Sequence, residues 1–290
     1  TAYAADPLVN IVIMLILLCL FLFPVFNVVS ISLSDDKAVL AAEVTFYPIG
    51  YNPQAYTAIF GNTDLWRAAF NSFYVAIIGC VLGLIGTCVA AYPMAYGNFY
   101  GKKLYVIIIM FTMWFNAGIV PLFLTIRQLG LYDSLWALIL NSMITAYNVV
   151  IIRSYFSSIP FSVIESARID GATDYRILFQ LVIPLSKPVL ATVALWLIVG
   201  HWNDYLNPLV LIHSQEHKTL QLFLKELVLN AETSTSNLAS VNDATNKGVA
   251  ALSQQLKNGV LVVSMVPMLV LYPFLQKFFV SGVMLGSVKG

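Results

Sequence analysis

Charge is what this chain has least of. Only 10% of its 290 residues are Asp, Glu, Lys or Arg, and its mean hydropathy is +0.82. Soluble domains carry about 25% charged residues. A surface this poor in charge cannot face water on every side, and the simplest reading is that much of it faces lipid. The net charge of +1 offers no basic excess, which argues against a nucleic-acid partner. Cysteine and histidine are also scarce, at three each. Cys19, Cys80 and Cys88 fall inside apolar stretches with no CxxC spacing and read as small buried side chains. His213 and His217 are four apart but have no third ligand, so with His201 they make no metal set and read as solvated loop residues. An ATP-binding loop is missing too. The nearest approach, Gly97–Lys103, has three residues between its glycines instead of four, and no Ser or Thr follows the lysine. Neither GxSxG nor HExxH occurs, so no enzyme constellation presents itself.

What is present is a series of long apolar runs. Six are long enough to cross a bilayer, which takes about 20 residues each: Leu8–Ile31, Ala69–Gly97, Leu104–Thr125, Ser134–Ile152, Pro188–Ile212 and Gly259–Val280. Lipid offers no partners to backbone N–H and C=O groups, so each is expected to be a helix. The predicted fold is therefore all-α: one polytopic membrane domain over residues 1–290. The first run starts close to Thr1, which is not an initiator Met, so the natural start is expected upstream. That run is too long for a signal-peptide core and reads as a retained span.

Basic residues set the orientation. The connections 98–103 and 153–187, together with the termini, hold Lys102, Lys103, Arg153, Arg168, Arg176, Lys187, Lys277 and Lys289. The connections on the other side, 34–68, 126–133 and 213–258, have seven basic residues and nine acids. Lys and Arg resist translocation, so the first set and both termini are predicted to be cytoplasmic. In the long outer loop 213–258, Leu220–Leu229 reads as an amphipathic helix. In the second run, Gly79 and Gly83 form GxxxG, with Gly86 one turn on, a pattern that lets helices approach closely.

The most informative stretch is Ser157–Lys187, which is too polar to span. Pro160 suits a first helical turn. Ser162 and Glu165 have capping-box spacing. Gly171 offers a left-handed stop near Asp170. Thr173 can cap a second helix, Asp174–Val182, that Pro184 is expected to end. The result would be a helix–glycine–helix elbow, with Ser166, Ala167 and Ala172 small enough for another surface to pack closely.

Here a resemblance becomes specific. Glu165-Ser166-Ala167, three residues, Gly171, nine residues, then Leu181-Val182-Ile183-Pro184 is similar to the EAA motif of bacterial ABC importer permeases, which reads EAA, three residues, Gly, nine residues, I-x-L-P. Ser166, Leu181 and Ile183 are mild departures. The surrounding sequence resembles the carbohydrate branch, the family of the maltose importer's smaller permease. It is especially similar to permeases for complex polysaccharides, including alginate-importer permeases. The likeness includes FNAGIVPLFL (115–124), RSYFSSIP (153–160), HWNDYLNPL (201–209) and the C-terminal FFVSGVMLGSVKG. The resemblance implies a coupling elbow of Glu165, Ser166, Ala167, Asp170, Gly171, Ala172, Leu181 and Pro184, docked in a cleft of an ATPase subunit. It also implies a second permease, expected to differ from this chain, and two ATPases that hold ATP and Mg. An extracytoplasmic binding protein would deliver an oligosaccharide, with a uronate such as alginate as one form of it.

Polar residues within spans are costly and often functional. In the fifth run, Gly200, Asn203, Asp204 and Asn207 share a face at helical spacing, with Trp202 and Tyr205 beside them. Aromatic rings cover sugar C–H faces, while amides and carboxylates bond hydroxyls. Asp204 could equally tie two helices together, and the aromatics could simply mark an interface. Asn116, Asn141, Tyr147 and Asn148 are further pathway candidates. Two competing readings remain at this stage: an ion-coupled carrier centred on Asp204, which leaves the elbow unexplained, and an intramembrane enzyme, which lacks a catalytic pair.

Overall fold

A computed structural model describes residues 7–227, 229, 252, 254–270 and 272–273. Among these residues every regular element is helical. The outer-loop run 233–237, the last part of the sixth expected span and the C-terminal motif 278–290 lie outside the described residues. The chain divides into two compact units, residues 1–66 with 223–267 and residues 67–222 with 268–290.

The first unit opens with α1 (Pro7–Ser32), apolar on all sides because its sequence offers no polar stripe. None of its most apolar stretch is buried, as suits a helix whose partner is lipid or another chain. Its end is tied to the segment that follows. Asn27 donates to the Thr45 carbonyl at 2.8 Å, and the short helices α2 (Asp36–Leu40) and α3 (Gln54–Phe60) come next. A later helix over residues 254–270 supplies Gln255, whose buried Nε2 donates to the Ser34 carbonyl (2.7 Å) and to Asp36 (2.9 Å).

The second unit is built on α4 (Thr63–Tyr96), most of whose length falls within it. The glycines of α4 do what their spacing predicts. A Cβ on Gly79 would stand 2.4 Å from His201 Nε2, and one on Gly83 would stand 3.0 Å from Leu197 and 3.1 Å from the Met143 carbonyl. Close approach of α4 to its neighbours therefore depends on missing side chains.

Three of the expected single spans are broken. The third is α5 (Lys102–Trp114) and α6 (Ile119–Gln128), bent by 119°. At the break Gly118 takes a positive φ of 85°, and Asn116 Oδ1 accepts its N–H at 2.9 Å. The fourth is α7 (Leu135–Asn141) and α8 (Ala146–Phe156), bent by 49°. Each half starts on its own cap: Ser134 accepts from Trp136 N–H, and Thr145 accepts from Asn148 N–H. After α9 (Phe161–Ile169) and α10 (Asp174–Leu185), the fifth is α11 (Lys187–Asn203) and α12 (Leu206–Leu211), interrupted at Asp204 and Tyr205. A periodicity read over a whole run cannot register these interruptions, because the apolar composition continues through them. Two helices are individually long and apolar enough to cross a membrane, Leu8–Ser32 and Thr63–Tyr96. Counting each of the bent pairs α5–α6, α7–α8 and α10–α11 as one span brings the total to as many as five among the described residues. Residues 220–227 are helical, within the expected Leu220–Leu229.

The segment after α12 is anchored by Asp133, which itself adopts a positive φ of 59°. One carboxylate oxygen accepts N–H groups of His213 (2.8 Å) and Ser214 (2.9 Å) and the Ser214 hydroxyl (3.1 Å), and His217 stands 3.8 Å away. His217 is therefore part of this anchor and not simply solvated. Burial alone would push the Asp133 carboxyl up. The Ser214 and His213 N–H groups, the Ser214 hydroxyl and His217 outweigh that and hold it below the ordinary carboxylate range.

Two outcomes follow from this packing. Gly79→Ala forces the His201 ring or the helix to move and should destabilise the detergent-solubilised protein by about 1–3 kcal/mol. Gly200→Ala, which meets open space at its Cβ, should be neutral or slightly stabilising in the same thermal melt. A depressed carboxyl contributes stability that is present above its unfolded pKa of about 3.9 and is lost as pH falls through the folded value. The wild type should therefore lose thermal stability relative to Asp133→Asn as the pH is lowered from 6 to 3, and the two midpoints should converge at the acid end.

Candidate functional site

The elbow is a glycine-terminated pair of helices. α9 runs Phe161–Ile169, and the chain reverses through Gly171 at φ +80°. Gly171 N–H donates to the Arg168 carbonyl, and Ala172 N–H donates to the Ala167 carbonyl, both at 3.0 Å. This is the paired Schellman arrangement that a left-handed residue at this place allows. Thr173 then caps α10 through the Arg176 N–H at 3.4 Å. Two details differ from the sequence reading. The cap residue of α9 is Pro160, which makes no side-chain bond, so Ser162 lies inside the helix and forms no capping box with Glu165. Pro184 does not end α10. A π-helical turn at Leu178–Val182 precedes it, and the helix continues to Leu185 before an 85° bend at Ser186. The wider turn accommodates a residue that has no N–H and whose ring crowds the preceding turn.

One side of the elbow is anchored. Ile164, Ile177 and Val182 are buried with Phe156, Val149 and Met94 in a single apolar cluster. The remainder is presented outward. Glu165, Ser166, Asp170, Gly171 and Pro184 are exposed, while Ala167, Ala172 and Leu181 are half-buried. Among them Ile169 is 82% exposed and Tyr175 77%, large apolar side chains with nothing over them. A Cβ on Gly171 would meet nothing within 4 Å, so the position needs glycine for its backbone conformation and not for room.

The elbow is also latched to α4. The Tyr92 hydroxyl donates to Asp174 Oδ1 at 3.0 Å, and the Arg168 guanidinium donates to the same oxygen at 3.2 Å. Sequence reasoning missed this triad. Arg168 and Asp174 straddle Gly171 at a spacing no helix rule covers, and Tyr92 is 82 residues away from Asp174.

The polar residues of the fifth run meet those of the fourth in a cleft of about 610 Å³. Asn203, Asp204, Asn207 and Asn148 all line it, together with Ser142, Thr145, Tyr147, Trp196, Gly200 and His201. Asp204 is extended (φ −71°, ψ 116°), so its neighbours reach the cleft through a break and not along an unbroken helical face. Its carboxylate accepts the backbone N–H of Asn207 at 3.2 Å and the Asn207 side-chain amide at 2.7 Å, which orients the start of α12. Tyr147 and Trp196 sit as a ring pair with centroids 5.6 Å apart. The other candidates lie elsewhere. Trp202 is buried edge-on against Phe73 (centroids 5.0 Å apart), Tyr205 is exposed outside the cleft, and Asn116 holds the α5–α6 break. Asn141 ends α7 and does not line the cleft. Trp196 is a cleft residue that the sequence reading passed over, because a tryptophan in an apolar run carries no signal of its own.

Among the described residues the structure combines interrupted apolar helices, an outward-facing glycine elbow and a cleft that carries polar groups, which is the construction of a transport permease. Residues 79–241 match the family described as binding-protein-dependent transport system inner membrane component. The chain is 32% identical over 277 residues to the polygalacturonan/rhamnogalacturonan transport system permease protein YtcP of Bacillus subtilis, covering 96% of this chain and 95% of that one. It is 28% identical to the arabinooligosaccharides transport system permease protein AraQ of Halalkalibacterium halodurans, covering 92% and 91%. Among solved structures it is similar to a chain of a bacterial ABC transporter involved in the import of the acidic polysaccharide alginate, with a TM-score of 0.83, 32% identity, and coverage of 94% and 95%. The chain belongs to the binding-protein-dependent transport system inner membrane component family.

The latch gives a local test. Tyr92→Phe removes one hydrogen bond to a charged acceptor, worth about 1 kcal/mol at a partly exposed place. Hydrogen–deuterium exchange over residues 165–177 should quicken accordingly, while exchange in α7 stays unchanged.

Proposed function

We propose that this chain is one of two membrane subunits of an ATP-driven importer that moves an oligosaccharide into the cytoplasm by alternating access. The observation that carries this reading is the Gly171 elbow. The EAA-like spacing falls on a left-handed turn whose apolar residues Ile169 and Tyr175 stand uncovered. Such a surface calls for a partner, and the partner that fits is an ATPase subunit. Glu165 and Asp170 would offer it polar contacts, Ser166, Ala167 and Ala172 would permit close approach, Gly171 would make the turn, and Leu181 and Pro184 would join the elbow to α11. ATP and Mg belong to that partner, and this chain supplies no catalytic residue. Six spans, cytoplasmic termini and a cytoplasmic elbow are the topology that goes with this reading. A second, non-identical permease and an extracytoplasmic binding protein complete the assembly. In the cleft, Asn148, Asn203, Asp204 and Asn207 are the groups to contact sugar, while Trp202, Tyr205 and Asn116 lie outside it.

The glycan reading rests on relatives named for polygalacturonan/rhamnogalacturonan and arabinooligosaccharides and on the alginate-import structure. An ion-coupled carrier centred on Asp204 would leave the elbow without a purpose.

The assembly should be purified from native membranes and its ATP hydrolysis measured with and without candidate oligosaccharides. A co-purifying permease and ATPase with sugar-stimulated hydrolysis is the expected result; a chain recovered without any ATPase would overturn the reading. Gly171→Val should cost about 1–2 kcal/mol in the left-handed turn and lower uptake per ATP hydrolysed. Gly171→Asn, which tolerates that conformation, should retain most coupling.

A further inference from the structure

Resting on the reading of this chain as a glycan permease, we infer that the cleft discriminates by charge: Asp204 disfavours an anionic sugar unit, while the Tyr147–Trp196 ring pair and the surrounding amides hold an uncharged one. None of the cleft's described lining residues is Lys or Arg, and Asp204 is the one carboxylate. Both Asp204 oxygens accept from Asn207, and these bonds fix the group in place. The only other titratable side chains are His201 and Tyr147. The His201 ring is not offered as a cation. It is buried, its Nδ1 lies 3.5 Å from the Ser142 hydroxyl, and its Nε2 abuts Gly79 of α4. A sugar carboxylate entering here would meet like charge and, among the described residues that line the cleft, no compensating donor cation. Like charges at close quarters are a device for rejecting a wrong partner.

What remains suits neutral sugar. Tyr147 is half exposed, and Trp196 beside it is 37% exposed, so both rings can cover the C–H face of a pyranose. Gly200 has nothing near its Cβ direction, which leaves a flat wall along α11. The amides of Asn148, Asn203 and Asn207 can donate to and accept from hydroxyls. If the importer as a whole takes an acidic glycan, its carboxylates must be met outside this cleft.

The test uses the intact importer in liposomes with its binding protein and ATPase. It compares uptake of paired oligosaccharides of equal length and linkage that differ only in the C6 group: glucose and glucuronate, galactose and galacturonate, mannose and mannuronate chains. Taking the mutant's uronate-to-neutral ratio relative to the wild type's cancels the binding protein's own preference. Asp204→Asn should raise the uronate-to-neutral ratio about three- to fivefold for whichever pair is carried. Asn203→Asp, which adds a second carboxylate without touching the α12 cap, should lower it by a similar factor and keeps the test alive if Asp204→Asn folds poorly. Trp196→Ala should reduce uptake of both members and leave the ratio unchanged. A ratio that does not respond to either charge change, or that moves the opposite way, overturns the charge-discrimination inference and leaves the permease reading intact. Failure of every sugar in every pair to be carried overturns the glycan reading itself.

Discussion

The structure depends on one constraint: in lipid, every backbone N–H and C=O must find a partner inside the protein. Unbroken helices come nearest to meeting it without help, and α1 and α4 are of that kind save for the one N–H that Pro24 and Pro93 each lack. The third, fourth and fifth apolar runs do not stay unbroken, and each interruption frees backbone groups that a side chain must meet. The residues found there are the ones able to do it. Asn116 accepts the Gly118 N–H, Thr145 accepts the Asn148 N–H, and Asp204 accepts the Asn207 N–H. Polar side chains in these spans are therefore placed first by the backbone, and any contact they make with a solute comes in addition.

The same constraint explains where the cleft is. Irregular backbone at membrane depth is tolerated where it is buried in protein or lines a water-filled cavity. Ser142 and Thr145, from the α7–α8 break, and Asp204, from the α11–α12 break, line one cleft. Two interruptions thus share a single cleft, whose polar groups are set in a mostly apolar wall. The glycines of α4 support it from behind: Gly79 admits the His201 ring, and Gly83 admits Leu197 and the Met143 carbonyl, so the walls can stand close enough to define a cleft at all.

How much of this was legible in the sequence follows from the range of each signal. The elbow was legible because its determinants are local. Glycine at 171, threonine at 173 and the spacing between them specify a turn that needs no distant partner, and the observed φ of +80° and the Thr173 cap agree. The α4 glycines were legible as a spacing, although the distant partners they admit, His201, Leu197 and the Met143 carbonyl, were not. The breaks at 115–118, 142–145 and 204–205 were not, because apolar composition runs straight through them. The sequence reading therefore took Asn203, Asp204 and Asn207 as one helical face, when an extended Asp204 brings them together. It also gave Trp202 and Trp196 the wrong emphasis. Both are tryptophans in one apolar run, and only tertiary packing separates the buried ring against Phe73 from the open ring beside Tyr147.

The two kinds of glycine in this chain point to how it can move. Gly79 is required for room: it sits in a tight contact where any added atom displaces a neighbour. Gly171 is required for conformation: it sits in open space, and only its φ is special. A transport subunit needs both properties in different places. The helices around the cleft must pack closely enough to move as blocks, since packed interfaces shift between discrete arrangements and resist continuous deformation. The elbow must project from the packed body and still be tied to it, or a push at its surface would be absorbed in its own flexing. Ile164, Ile177 and Val182 provide that tie through apolar burial, and the Tyr92 hydroxyl of α4 adds to it by donating to Asp174, which Arg168 holds within the elbow. On the proposed reading, a force applied at Ile169 or Tyr175 would be delivered to α4, the helix whose glycines set the spacing of the cleft walls.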